Sequence, residues 1–161
     1  MSKLNDDFCK VTEVELVYRN KVKFADRQQI TSSFDAYQVL AQTWDEGKMQ
    51  LQEHFKILLM DRKNHVLGVS HISSGGVTDC MVDSRLVFAT ALKARATGLI
   101  LAHNHPSGNM TFSDADKMLT KKFTEAGKLL DISILDHLVL TEEGYASMSD
   151  NGQLPVIHAK L

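Results

Sequence analysis

Residues 99–105 constrain the fold more than any other stretch. Leu99-Ile100-Leu101-Ala102 is an unbroken apolar run that leads directly into His103-Asn104-His105. The run is too short and too apolar for an amphipathic surface helix and reads as a central strand covered on both faces. Pro106 ends it, since proline has no N–H for a sheet ladder, and Ser107-Gly108-Asn109 is turn material. Ser113 then stands where a helix N-cap belongs, with Asp116 three residues on.

The flanking sequence supplies layers for such a strand. Val11 to Tyr18 alternates and predicts a strand, with Arg19-Asn20-Lys21 turning into Val22-Lys23-Phe24. Thr31-Ser32-Ser33 opens a helix in which Tyr37, Leu40, Ala41 and Trp44 share a face, and Gly47 is its expected stop. His54 to Met60 and Val66 to Ile72, joined through Asp61-Arg62-Lys63-Asn64, predict a hairpin. Asp83 or Ser84 caps a helix from Arg85 to Ala96 that Gly98 ends, its apolar stripe read as Leu86, Ala89, Leu92, Lys93 and Ala96, extended by Phe88. In the helix that Ser113 begins, Met118, Leu119, Phe123, Ala126, Leu129 and Leu130 are expected inside, and Lys117, Lys121, Lys122 and Glu125 outside. Ile132 to Thr141 predicts a strand and Gly144 to Ser147 a last short one. The expected class is α/β: one domain, a central mixed sheet and helices on its faces.

The same stretch concentrates metal-competent groups. Side chains i and i+2 of a strand project to one face, so His103 and His105 stand side by side as a two-pronged grip. Asp116 lies in the first turn of a helix, where the dipole favours the ionised carboxylate that a metal needs. A Ser-x-x-Asp alone is a common helix start; joined to His-x-His across a Pro-Ser-Gly turn it predicts three protein ligands, His103, His105 and Asp116. A catalytic zinc leaves its fourth position to water.

The pattern His103-x-His105-x7-Ser113-x-x-Asp116 closely resembles the JAMM motif of the JAB/MPN metallopeptidase-like domains. His-Asn-His-Pro-Ser-Gly, with Asp136-His137-Leu138 downstream, resembles the RadC branch more narrowly. The resemblance runs from about Ile30 to Met148 and implies a single MPN-like (cytidine-deaminase-like) fold. Domain bounds follow: an N-terminal tail with strand or hairpin over 1–30, the RadC-type domain over 31–150 and a tail over 151–161. Longer RadC proteins carry a helix-hairpin-helix region in front, for which these 161 residues leave no room. The family's His-Pro-Arg at a helix entry is Asp83-Ser84-Arg85 here, a change at a cap rather than at a ligand.

The resemblance implies Zn2+ at His103, His105 and Asp116, and hydrolysis of an amide or isopeptide bond by a metal-activated water. It implies Glu53 as proton shuttle and Ser113 as hydrogen-bond donor to the oxyanion. His137 is a candidate to support a ligand from behind or to be a satisfied core histidine. His54, His65, His71 and His158 lack partner spacing and are expected to be structural or exposed. The alternatives are a DNA-repair-associated protein, as the RadC name suggests, and a metal-binding interaction module without peptidase activity. Two histidines and a carboxylate also make the facial triad of non-haem iron oxygenases, but those sites favour all-β folds. His-Asn-His matches the letters of the HNH nucleases without their scattered spacing.

The net charge of −2 gives no basic field for nucleic acid. The expected partner is a peptide or protein substrate. Cys9 and Cys80 are expected as free thiols of a reducing compartment. No apolar run approaches the roughly 20 residues of a membrane span. The N-terminus lacks a signal core, so a cytoplasmic location is expected.

Overall fold

A computed structural model describes residues 15, 17–77 and 80–156. Most of the strand expected over Val11 to Tyr18 lies outside the described residues, as do Cys9 and His158. The regular elements are α1 (Ser33–Thr43), β1 (His54–Met60), β2 (Val66–Ser74), α2 (Ser84–Lys93), β3 (Gly98–Asn104), α3 (Asp114–Leu129), β4 (Ser133–Thr141) and β5 (Gly144–Ser147). The strands form one sheet in the order β2-β1-β3-β4-β5. Only β3 and β4 run parallel, and α3 connects them as a crossover requires; the other pairs are antiparallel. The class is therefore α/β with a mixed sheet, as expected.

β3 is the central strand, and every one of its residues is buried. Alternation along it divides the core in two. Leu99 and Leu101 face α2 and α3, where they meet Phe55, Ile57, Val87, Phe88, Ala91 and Phe123. Ile100 and Ala102 face α1, where they meet Ala36, Leu40, Trp44, Leu58 and Met60. A sheet covered on both faces is the arrangement that an apolar run like 99–102 demands.

Two helix faces differ from the expectation. On α2 the buried residues are Val87, Phe88 and Ala91, while Leu86 and Leu92 are about half exposed. On α3 they are Thr120, Phe123 and Gly127, while Met118, Leu129 and Leu130 are exposed. Helical spacing fits more than one stripe, and on α3 the buried stripe includes Gly127, against which the chain folds back after the helix. A Cβ on Gly127 would stand 2.2 Å from the Ile132 carbonyl oxygen, which only glycine permits. Helix ends move as well. α1 stops at Thr43, before Gly47, which lies in a separate 3-10 turn, Glu46–Lys48. α2 ends through Ala94 and a left-handed Arg95 (φ 57°), which leaves Gly98 free to open β3.

Candidate metal centre

The centre forms where β3 runs out of the sheet. His103 pairs with Phe55 of β1 and Val139 of β4, so its position is fixed on both sides. His105 follows one residue after the strand and stays in register through its N–H to the Leu140 carbonyl (3.0 Å). The turn closes with Gly108 N–H donating to the His105 carbonyl (3.0 Å), Gly108 taking φ 79°. It returns the chain so that the Asn109 carbonyl accepts from His105 Nδ1 at 2.6 Å.

Ser113 caps α3 in a reciprocal box. Its Oγ accepts from the Asp116 N–H (3.1 Å), and its own N–H and hydroxyl both donate to Asp116 Oδ2 (2.7 Å each). Asp116 Oδ1 then lies 3.2 Å from His103 Nε2, and Oδ2 lies 3.8 Å from His105 Nε2. Burial works against ionisation of Asp116, but a protonated His103 and the two Ser113 donors outweigh it and hold the carboxyl well below the usual carboxylate range; beside a neutral His103 the Ser113 donors are what favours the carboxylate. The Ser113 hydroxyl proton is therefore directed at Asp116 in this arrangement, and an oxyanion could receive it only after the hydroxyl turns.

Glu53 comes from the opposite side. It is 8% exposed, not a solvated residue at a strand entrance, and its Oε1 lies 3.8 Å from His103 Nε2. Glu53, His103 and His105 offer donor atoms within 4.8 Å of one another. Glu53, His103, His105, Ser113 and Asp116 are thus brought together, although they come from three elements. A cavity of about 450 Å³ opens onto Glu53, His105, Ser113 and Asp116.

Two residues that hold this arrangement escape a reading of the sequence. Asn104 points to the opposite face from its histidine neighbours and is fully buried. Its Oδ1 accepts the His54 N–H (2.8 Å), and its amide donates to the carbonyls of Met49 (2.7 Å) and Gln52 (2.9 Å). It therefore clamps both sides of Glu53. Thr120 is the other. Its hydroxyl donates to the Asp116 carbonyl (2.7 Å), one helical turn back on the same face. The signal for it was that i, i+4 relation to Asp116.

Proton positions follow from these partners. Because the Thr120 hydroxyl donates to a carbonyl, it can only accept from His137 Nδ1, 2.6 Å away. His137 then accepts at Nε2 from His103 Nδ1 (2.8 Å). Burial keeps the His137 imidazole neutral, with its pKa well below the ordinary histidine value, and nearby His103 acts in the same direction. So His103 carries its proton on Nδ1 and a lone pair on Nε2. His105 does the same, because the Asn109 carbonyl can only accept. The two Nε2 atoms lie 2.9 Å apart. Two lone pairs at that distance repel unless a cation lies between them, and Glu53 and Asp116 supply the balancing negative charge. The donor set fits a divalent ion that takes imidazole and carboxylate ligands. His137 touches His103 rather than the open side of the site.

The other expected positions fall elsewhere. His65 pairs with Asp61 in the hairpin turn (3.2 Å). His54 and His71 lie together on the α1 face of the sheet, ring centroids 5.1 Å apart. Cys80 places its Sγ 3.1 Å from Ser73 Oγ. Among the described residues no helix is long and apolar enough to cross a membrane.

Comparison with known proteins places this geometry in a context. A family model described as RadC-like JAB domain matches residues 30–153. The chain is 45% identical over 125 residues to a UPF0758 protein of Flavobacterium johnsoniae, covering 78% of this chain and 53% of that one. It is 44% identical over 101 residues to a UPF0758 protein of Syntrophomonas wolfei (63% and 43% of the two chains). It is 36% identical over 103 residues to one of Thermotoga maritima (64% and 46%). The chain spans about half the length of the curated relatives it matches.

Proposed function

The chain belongs to the RadC-like JAB domain family, and from that premise we propose that it is a zinc-dependent hydrolase of amide or isopeptide bonds. The observation that carries the proposal is the convergence of two imidazole lone pairs, 2.9 Å apart, between two carboxylates. His103, His105 and Asp116 would hold the ion. Zinc supplies Lewis acidity there, polarising a carbonyl and making water nucleophilic at neutral pH. Glu53, buried beside the ligands without belonging to the Ser113–Asp116 box, takes the proton from the attacking water and passes it to the leaving amine. Ser113 turns its hydroxyl from Asp116 to the developing oxyanion while its N–H keeps Asp116 in place; such donors contribute about 3 kcal/mol. Thr120, His137 and the Asn109 carbonyl act behind the ligands, holding both imidazoles in the tautomer that presents Nε2.

The test is hydrolysis of a panel of peptide and isopeptide amides by the zinc-loaded chain and by Glu53→Gln. Turnover by the parent and not by the variant, at equal zinc content, is the expected result. Equal turnover removes Glu53 from the mechanism. Zinc binding without turnover on any amide makes the chain a metal-binding interaction module instead.

A further inference from the structure

On the sheet face that packs against α1, away from the metal centre, is a second cluster of histidines with the opposite charge environment. A cavity of about 280 Å³ lies among Lys48, His54, Lys56, His71 and Ser74, with Trp44 and Asp45 on its wall. Drug-sized ligands occupy cavities of about 300–1,000 Å³, so this one suits a small group. Asp45 contributes its one carboxylate, which is already 3.7 Å from Lys48. Lys56 has no carboxylate within 4 Å among the described residues. Its ammonium donates to the Thr43 carbonyl, at the C-terminus of α1, and stands 4.7 Å from the centre of the Trp44 ring. Two of its three protons remain. Trp44 is 6% exposed, and its indole N–H has no acceptor among the described residues. Ser74 Oγ is 3.0 Å from His71 Nε2 and adds a hydroxyl.

We infer that this cavity is a binding site for a phosphate dianion, free or as the phosphate of a small monoester. The remaining protons of Lys56, the Ser74 hydroxyl and the unpartnered Trp44 indole border a volume of small-anion size, and the two lysines outnumber the one carboxylate. A bound dianion would receive charge-assisted hydrogen bonds from Lys56, His71 and Ser74. The crowding of like charge is also visible in His71. Desolvation first, then Lys56 and Lys48, hold its pKa below the ordinary value.

Trp44 is the only tryptophan of the chain, so its indole N–H is a single NMR reporter. The full chain is titrated with inorganic phosphate at constant ionic strength, with chloride as reference, and then with O-phosphoserine. The expected result is a saturable shift of the Trp44 signal, weakened at least tenfold in Lys56→Met and in His71→Gln. His71 is exposed, so His71→Gln leaves the fold intact if Lys56→Met repacks Trp44. Tighter binding of O-phosphoserine supports the site and assigns a monoester; tighter binding of inorganic phosphate supports it and assigns the free ion. No saturable shift, or parent and both variants titrating alike, overturns the proposal. The same curve is expected with and without zinc, so this result and the hydrolase test stand or fall separately.

Discussion

Two histidine pairs sit on opposite faces of one sheet with nearly the same spacing. The rings of His103 and His105 are 4.7 Å apart, and those of His54 and His71 are 5.1 Å apart. Around the first pair are Glu53 and Asp116; around the second are Lys48 and Lys56, with the single carboxylate of Asp45. Proximity of imidazoles therefore does not define a metal site. The first pair has both Nδ1 atoms committed as donors, to His137 and to the Asn109 carbonyl, so both Nε2 lone pairs converge. In the second pair the partners do not aim two lone pairs at one point: His54 Nε2 is taken up by the Gln52 amide (2.8 Å), and His71 meets a serine hydroxyl, which can donate or accept. Converging lone pairs and carboxylates suit a cation; lysines in excess of carboxylates suit an anion.

The contrast predicts unequal responses to substitution. The largest effect is expected from His103→Ala and Asp116→Ala, which should lose zinc from the purified protein, while His71→Ala keeps it; retention of zinc by the first two variants would equate the pairs. Glu53→Gln should keep zinc and lower hydrolysis by about 10²–10⁴-fold, the usual contribution of a general base. Thr120→Val lies outside the cavity and meets Asp116 only at its backbone carbonyl, but it leaves the His137 Nδ1 proton without an acceptor. It should lower zinc affinity about 10–100-fold, and leaving that buried donor unpaired should cost about 1–3 kcal/mol of stability. Unchanged zinc affinity in a folded Thr120→Val would show that the tautomer of His103 is fixed by something else.

The smallest effect is a titration. The folded pKa of His71 lies below the ordinary 6.5, so the unfolded chain binds the proton more readily. Its contribution therefore makes stability rise with pH through the window just below 6.5 and level off above it. Lys56→Met removes a cation from beside His71, so its pKa should rise and that slope should flatten. Denaturation at several pH values, with NMR titration of His71, checks both directions.

Much of the candidate metal centre was legible because its rules are local. Strand alternation placed His103 and His105 together, and the Ser113–Asp116 spacing marked a capping box that carries its carboxylate to them. The support was not legible, because it is tertiary. His137 lies 34 residues from His103 and Thr120 lies 17 from His137, and only the parallel β3–β4 pairing with α3 across it joins the three. Glu53 could be placed only by family resemblance; its burial depends on the Asn104 clamp, which belongs to the other face of the sheet. Helix faces failed for a related reason. Leu86, Leu92, Met118 and Leu129 satisfy helical spacing, but the close packing at Ala91 and Gly127 turned them outward.

The central claim is that both imidazoles of the first pair present Nε2 to one ion. Long-range ¹H–¹⁵N spectra of the histidine rings, before and after one equivalent of zinc, test it directly. His103 and His105 are expected to keep the Nδ1 proton and change at Nε2 on zinc addition, while His54 and His71 do not respond. A response at His54 and His71, or no change at the Nε2 of His103 and His105 on zinc addition, would contradict this assignment.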